Sequence, residues 1–203
     1  MQEFTDTMTS AETIHQQLAF LMELDRLKSV IRQSPLANRS RRENSAEHSW
    51  HLAMFALVLS EHAERRVDAA HVVKLLLLHD IVEIDAGDSP IHASGTDKAA
   101  LERAERAAAE RIFGLLPPEQ AERFLALWWE FEVGETPEAR FAKALDRLQP
   151  LLVNTHAGGG TWTENGVTEA QVGERYGPAI RGGSSALWEA AAAQVRLHFS
   201  TVA

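Results

Sequence analysis

The 203-residue chain contains no cysteine. That absence excludes a disulfide scaffold, a thiolate zinc site, an iron–sulfur cluster and a cysteine nucleophile. It suits a reducing compartment, and we expect a cytoplasmic protein. Long apolar runs are also missing, because the densest run, Val72 to Leu78, contains Lys74 and falls short of the ~18 residues that a membrane-spanning helix needs. The acidic, polar start MQEFTDTMTSAE does not resemble a secretory signal. We therefore expect no membrane partner.

Basic residues are in the minority. The chain has 20 Lys and Arg against 29 Asp and Glu, a formal net charge of −9. A duplex-binding protein normally presents a basic face, so nucleic acid is not the expected partner. A substrate that carries phosphate would be repelled by the overall field and must be met by local cations or by a metal ion.

Stretches that alternate apolar and polar residues are absent, and β-branched runs are scarce. The apolar periodicity is helical almost throughout, which predicts an all-α fold of six to eight helices. At ~150 residues per domain, the length favours a single domain over residues 1–203. Within it, we expect a core over about residues 18–155 and an appendage of loop and helices over 156–203.

Capping signals set the expected boundaries. The first helix should begin at the capping box of Thr9 and Glu12 and end near Pro35, with a polar loop over 35–46. We interpret the glycine-rich segment 157–166, which contains Trp162, as a surface loop, with a lid as the alternative. Further helices are expected at about 47–63, 68–83, 97–114, 117–132, from Thr136 onward, and at 185–199.

The pair His79-Asp80 follows four leucines at the end of a helix that should be buried. Two titratable groups in such a place are costly unless they pair with each other or bind a metal. Neutral imidazole and carboxylate are good ligands for a divalent ion. Because adjacent residues on a helix point ~100° apart, both reach one ion only near a helix end or kink.

Two more candidate ligands lie on apolar helices, His48 in ENSAEHSWH and Asp146 in FAKALDRLQPLL. Taken alone, Asp146 would be read as the partner of Arg147 or Lys143 in a salt bridge. The order of a histidine, a His-Asp pair and a late aspartate, each on a helix, is what makes the set informative.

This order resembles the HD-domain metal-dependent phosphohydrolases. The strings RRENSAEHSWHLA, LLLLHDIVEIDAGD and ARFAKALDRLQPLL are similar to the branch that includes the bacterial 5′-deoxynucleotidases and their eukaryotic relatives. The resemblance covers roughly residues 18–155. It implies that one divalent ion is held by His48, His79, Asp80 and Asp146. These residue types suit Mn²⁺, Co²⁺, Mg²⁺, Zn²⁺ or Fe²⁺ without selecting among them.

The same resemblance implies roles for three further residues. Glu83 corresponds to the acid that orients the attacking water, and Asp88 to an acid that faces the sugar. Arg32 corresponds to an arginine on the first helix that contacts substrate. Independently, Glu83 lies one helical turn after His79, where a carboxylate can act as a general base without being a ligand. The alternatives are a solvated acid at the helix end for Glu83 and ordinary turn chemistry for Asp88.

The chain departs from the nucleotidases next to Arg32, where Gln33 replaces a tryptophan that packs near the sugar. We expect this change to weaken selectivity for deoxyribose. Three arginines, at positions 39, 41 and 42, precede the helix of His48, and any one of them is a candidate for a phosphate contact.

Together these features predict a metal-dependent phosphohydrolase that acts on a small phosphomonoester, preferably a nucleoside 5′-monophosphate. The alternatives are an HD hydrolase of another phosphorylated metabolite or nucleoside polyphosphate, and a non-catalytic binding protein with a structural metal. Trp128 and Trp129, read as exposed, make a homodimer reasonable.

Overall fold

The computed structural model describes residues 9–89, 91 and 97–202, and helices dominate them. Eight helices of ten or more residues confirm the predicted all-α class, and the one sheet in this part of the chain has two strands. The α-helices and strands are α1 (Ser10–Leu24), β1 (Ile31–Pro35), β2 (Arg42–Asn44), α2 (Ser45–Leu59), α3 (Ala69–Leu78), α4 (Glu83–Ala86), α5 (Lys98–Phe113), α6 (Pro118–Val133), α7 (Pro137–His156), α8 (Thr161–Glu164), α9 (Glu169–Gly183) and α10 (Ser185–Val202).

Side-chain caps fix the helix starts that position the site. The predicted capping box of Thr9 and Glu12 is present at α1. A second box, made by Asn44 and Glu47, opens α2 directly after the sheet. Thr136 caps α7, whose first residue is a proline. Each cap satisfies backbone donors that the first helical turn leaves unpaired.

The first helix ends earlier than we expected. It stops at Leu24, a 3-10 turn covers Asp25–Ser29, and the chain then extends into β1. β1 pairs antiparallel with β2, so part of the expected loop 35–46 is a strand. Arg32 therefore lies on a strand and not on the first helix as predicted. The β-branched residues Val30 and Ile31 favour an extended backbone. The polar sequence of β2 carries no strand pattern, so the pairing with β1 was not predicted.

Helix α7 lies at the centre of the molecule. Its residues Leu145, Leu148 and Leu151 are almost fully buried, against the leucines of α3 and the apolar faces of α2, α9 and α10. A second apolar cluster joins α1, α5 and α6 through Phe20, Phe113 and other residues. Because α9 and α10 contribute to the core around α7, they favour a single unit, although the predicted division at residue 155 stays a prediction.

The segment expected to be a surface loop is only partly at the surface: Thr161 and Trp162 are buried, whereas residues 163–166 are exposed. Trp162 is 1% exposed and packs against Tyr176 and Phe199, with ring centroids 6.3 and 5.9 Å away. The Asn154 amide oxygen accepts hydrogen bonds from the backbone and hydroxyl of Thr161, at 2.8 and 3.0 Å. The preceding glycines, 158 to 160, all have positive φ, which permits the tight turn. The prediction of a surface loop was wrong for Trp162, because its indole is part of the core.

The expectation of two exposed tryptophans changes for one of them. Trp128 is 2% exposed, so it is a core residue, whereas Trp129 is 42% exposed as predicted.

Within the described ranges, no helix is both long enough and apolar enough to cross a membrane. Residues 1–8, 90, 92–96 and 203 lie outside those ranges.

Candidate active site

The pair His79-Asp80 occupies a break in helix geometry. Helix α3 ends at Leu78, and the chain continues as a 3-10 turn over His79–Val82 before α4. A 3-10 turn is wound more tightly than an α-helix, which changes the angle between successive side chains. The His79 Nε2 and Asp80 Oδ1 atoms lie 3.0 Å apart. The sequence argument required a helix end or kink here, and the structure confirms it.

Three predicted ligands meet in the interior. His48 on α2, His79 at the end of α3 and Asp146 on α7 each present a ligand atom within 4.8 Å of the others. The Asp146 Oδ1 lies 3.1 Å from His48 Nε2 and 3.7 Å from His79 Nε2. All three residues are buried. This spacing is close enough for one ion to contact all three side chains.

Asp80 lies against the same imidazoles but is shared with an arginine. Its Oδ2 is 3.8 Å from His48 Nε2 and accepts a hydrogen bond of 2.7 Å from Arg32 Nη1. The fourth predicted ligand is therefore paired with Arg32, as Asp146 is paired with Arg147 at 2.9 Å.

Hydrogen bonds on the far side of each ring orient the two histidines. His79 Nδ1 is 2.8 Å from the Leu76 carbonyl oxygen, and His48 Nδ1 is 3.1 Å from Gln149 Oε1. Since both partners are acceptors, each neutral ring carries its proton on Nδ1 and a lone pair on Nε2. The buried Nε2 of His79 has no hydrogen-bond partner in the described structure. These donor atoms fit a divalent cation.

Ionisation in the cluster reflects its excess of carboxylates. Burial alone would lower the pKa of His79, but Asp80 and Asp146 outweigh it and raise the pKa to about 10. Despite burial, His79 and Arg32 lower the pKa of Asp80 to about 2. Likewise Arg147 and the two histidines hold the pKa of Asp146 well below its ordinary value. Positive charge is therefore favoured at this position, and a divalent cation would supply it.

Arg32 bridges the remaining carboxylates. Its Nη1 lies 3.2 Å from Glu83 Oε1 and 3.4 Å from Asp88 Oδ1. The Ser45 hydroxyl donates a hydrogen bond to the other oxygen of Glu83. Burial, together with repulsion from Asp80, raises the pKa of Glu83 to about 8. Burial also raises the pKa of Asp88. The structure thus brings all seven predicted residues to one place, with Arg32 in contact with carboxylates.

Sequence reasoning missed two buried residues that support the ligands. Gln149 is fully buried one turn after Asp146, and its amide nitrogen donates to Glu43 Oε2 at 3.1 Å. Glu43 is 3% exposed and is the middle residue of β2. The sequence feature that could have pointed to Gln149 is its position three residues after Asp146, on the same face of the helix.

Two of the three arginines before α2 are paired with carboxylates outside the ligand cluster. Arg41 pairs with Glu47 at the protein surface, and Arg42 pairs with Glu164 at 2.9 Å. Their role as phosphate contacts, one of the options from the sequence, finds no support in these positions.

A cavity opens over the ligands and is lined on its outer side by acids. Glu105 of α5 and Glu132 of α6 face it, together with Lys143. Burial, followed by repulsion from Glu132, Asp80 and Glu102, raises the pKa of Glu105 to about 7, and Lys143 opposes the shift. Acidic side chains outnumber the basic ones in the lining of this cavity, which favours an occupant that includes a cation.

Comparison with known proteins places these features in context. The sequence matches the HD domain family over residues 24–188. The human 5′-deoxynucleotidase HDDC2 is 32% identical over 137 residues, which are 66% of this chain and 65% of that protein, just under two thirds. The 5′-deoxynucleotidase of Enterobacter sp. (strain 638) is 32% identical over 66% of this chain and 69% of its own length.

Solved structures give a similar result. The crystal structure of a "Predicted metal-dependent phosphohydrolase" from Magnetospirillum magnetotacticum MS-1 is 49% identical, with a TM-score of 0.86 over 93% of this chain and 96% of that one. A conserved hypothetical protein from Pyrococcus furiosus, at 20% identity and a TM-score of 0.60, shares the fold.

Replacing Gln149 with Leu should weaken metal binding. The substitution removes the acceptor that orients His48, and loss of such a supporting hydrogen bond typically costs ~10- to 100-fold in metal affinity. Calorimetric titration of the metal-free protein with Mn²⁺ measures the effect. Gln194→Leu, at an exposed position of α10, is the matched control. Equal Mn²⁺ affinity in Gln149→Leu and wild type would show that Gln149 does not support the ligand.

Replacing Glu105 with Gln should stabilise the metal-free protein at high pH. The folded pKa of about 7 exceeds the ordinary 4.5, so the ionised form destabilises the fold fully above pH 7 and not at all below 4.5. Because the side chain is partly exposed, we expect a gain on the order of 1 kcal/mol at pH 8.5. Urea unfolding in EDTA at pH 8.5 and pH 4.5 measures it, with the exposed Glu110→Gln on the same helix as control. A gain of equal size at both pH values would contradict the prediction.

Proposed function

The chain belongs to the HD domain family, and from this premise we propose that it is a metal-dependent phosphohydrolase acting on a small phosphomonoester. The substrate class that we favour is a nucleoside 5′-monophosphate. The observation that carries the proposal is the buried meeting of His48, His79 and Asp146 beside Asp80 and Glu83. The similarity to 5′-deoxynucleotidases supports the choice of substrate.

We propose that His48, His79, Asp80 and Asp146 hold one divalent ion, whose identity the residue types do not select. A bound ion would neutralise phosphate oxygens and lower the pKa of water at the site. The orientation of both rings by Leu76 and Gln149 prepares the ligands before the ion arrives.

In this proposal Glu83 is the general base. It is held by Ser45 and Arg32, so its carboxylate is fixed without being part of the ligand group. It accepts a proton from the water that attacks phosphorus, while the bond from phosphorus to the 5′-oxygen breaks and that oxygen takes a proton from solvent; Glu83 then releases its proton to solvent, so no proton is gained or lost. The products are the nucleoside and inorganic phosphate.

We assign Asp88 to the sugar side of the site and Arg32 to the substrate. The backbone of Gln33 donates a hydrogen bond to the Asp88 carboxylate, so the two residues are neighbours. Where the nucleotidases carry a tryptophan, this chain places an amide side chain, and a missing steric wall rejects a hydroxyl group poorly.

We further propose that the protein acts in the cytoplasm, and as a homodimer. Support for the dimer comes from apolar stripes with helical spacing on two helices. On α1 they include Leu18 and Met22, at 56% and 70% exposed, and on α2 they include Trp50 and Val58, at 63% and 64%. Exposed apolar surface of this kind is typical of an interface.

A panel of substrates tests the function. The metal-free protein is supplied in turn with Mn²⁺, Co²⁺, Mg²⁺, Zn²⁺ or Fe²⁺, and phosphate release is measured from ribo- and deoxyribonucleoside 5′-monophosphates, nucleoside triphosphates and sugar phosphates. We expect metal-dependent release from the monophosphates, with a preference between the two sugars below ~100-fold. Release from other phosphorylated compounds alone would favour a different HD hydrolase. An ion that binds without any release would favour a non-catalytic protein.

Two substitutions separate the base from the ligands. Glu83→Gln keeps size and hydrogen bonding but removes basicity, so turnover should fall ~10²- to 10⁴-fold while Mn²⁺ affinity is nearly unchanged. Asp146→Asn should lower Mn²⁺ affinity and turnover together. Metal titrations and release rates in one buffer make the comparison. Full activity in Glu83→Gln would remove the base assignment, and loss of metal equal to that in Asp146→Asn would make Glu83 a ligand.

A further inference from the structure

Arg147 lies where two cavities meet. One is the cavity over the ligands, and the other is a small neighbouring cavity of about 60 Å³ that opens to solvent. Both are lined by Arg32, Asp88, Ser89 and Arg147. A molecule that has one end at the ligands and the other in the second cavity would therefore pass the guanidinium of Arg147.

The charge of Arg32 is already balanced in this structure. Its side chain is 12% exposed, and its Nη1 lies within 3.4 Å of Asp80, Glu83 and Asp88. Its Nε faces a further carboxylate, Glu43, at 3.7 Å. A guanidinium surrounded by carboxylates has little charge to offer an incoming anion, so a phosphate needs a second cation.

Arg147 has the properties that Arg32 lacks. Its side chain is 39% exposed, and among the described residues Asp146 supplies its one carboxylate contact, from Nη1 to Oδ2 at 2.9 Å. The other N–H donors of a guanidinium lie in the same plane and suit two oxygens of one phosphate. Because Asp146 is also in the ligand cluster, an anion bound to Arg147 lies beside that cluster. Lys143, by contrast, places its ammonium over the ring of Phe131. It lines the cavity over the ligands but not the second cavity.

We propose that Arg147 binds the phosphate group of the substrate and that the second cavity receives the adjoining part of the leaving group. The inference rests on the proposed function and extends it to a residue and a subsite. Asp146 then has two tasks, since one oxygen faces the histidines and the other positions Arg147. Arg147 is a substrate-binding residue that holds phosphorus beside the ligands.

The second cavity narrows the class of leaving group. Its lining is largely polar, with hydroxyls and amides from two parts of the chain that the fold brings together: Gln33 and Ser34 on β1, and Thr161 and Asn165 at α8. Its enclosed volume of about 60 Å³ is below the ~300–1,000 Å³ of typical ligand pockets, so it would take only the part of the leaving group next to the phosphate, with the rest in solvent. Its polar lining suits a nucleoside better than an alkyl chain, because the hydroxyls of a nucleoside can be hydrogen-bonded there.

The test uses inorganic phosphate as the probe, so it requires no turnover. Phosphate is titrated calorimetrically into the full chain saturated with Mn²⁺, for wild type, Arg147→Gln, Arg147→Lys and the exposed control Arg123→Gln on α6. We expect the phosphate Kd to rise about 10- to 100-fold in Arg147→Gln, to rise less in Arg147→Lys and to stay unchanged in Arg123→Gln. Mn²⁺ affinity is measured separately on each variant, so that loss of the ion is not mistaken for loss of phosphate binding.

Kinetics supply a second readout that a merely structural role would not move. With a nucleoside monophosphate as substrate, Arg147→Gln should raise KM by a larger factor than it lowers kcat. A phosphate Kd equal to that of wild type at full Mn²⁺ occupancy would overturn the inference, and so would a wild-type protein that binds no phosphate. If wild type binds phosphate through Arg147 yet releases none from any substrate, the inference stands and the proposed phosphohydrolase activity fails.

Discussion

The burial of several carboxylates around two imidazoles is the constraint on which the rest of this structure depends. Asp80, Glu83 and Asp146 are largely removed from water, and Arg32 is the cation that contacts the first two. Buried charge is costly unless it is paired, and here negative charge is in excess. The raised pKa values of His79 and Glu83 show the consequence, because the cluster binds protons in place of a cation. A divalent ion would relieve the same repulsion, which connects the electrostatics of the site to its proposed chemistry.

The fold meets this constraint by bringing elements distant in sequence to one point. Helices α2 and α7 present His48 and Asp146 from the core, and the 3-10 turn after α3 places His79 and Asp80 side by side. The small sheet adds Arg32 from β1. The apolar packing around α7 sets the positions of the ligands, so the core and the site are parts of one arrangement.

The proposed metal ligands are the part of the site that could be predicted, because the order of the titratable residues along the chain identifies them. Burial on an apolar helix singled out the His-Asp pair, whereas His48 and Asp146 were recognisable as candidate ligands because their order and flanking strings resemble those of the HD-domain phosphohydrolases. Gln149 was not recognisable, because an uncharged amide on a helix has no such signature until its partner is known. Arg147 was seen only as a salt-bridge partner, since its exposure to both cavities depends on the position of α8. Trp162 was misplaced because glycines indicate a turn without indicating how deeply it is buried.

The central claim is that one divalent ion occupies the centre of this cluster, and anomalous scattering tests it most directly. A crystal of the protein grown with Mn²⁺ would be measured on both sides of the manganese absorption edge. The account predicts one strong anomalous peak at roughly 2.0–2.3 Å from Nε2 of His48, Nε2 of His79 and the carboxylate of Asp146, with Asp80 completing the ligand set. A cluster without a peak at full Mn²⁺ concentration, or a peak held by other residues, would contradict it.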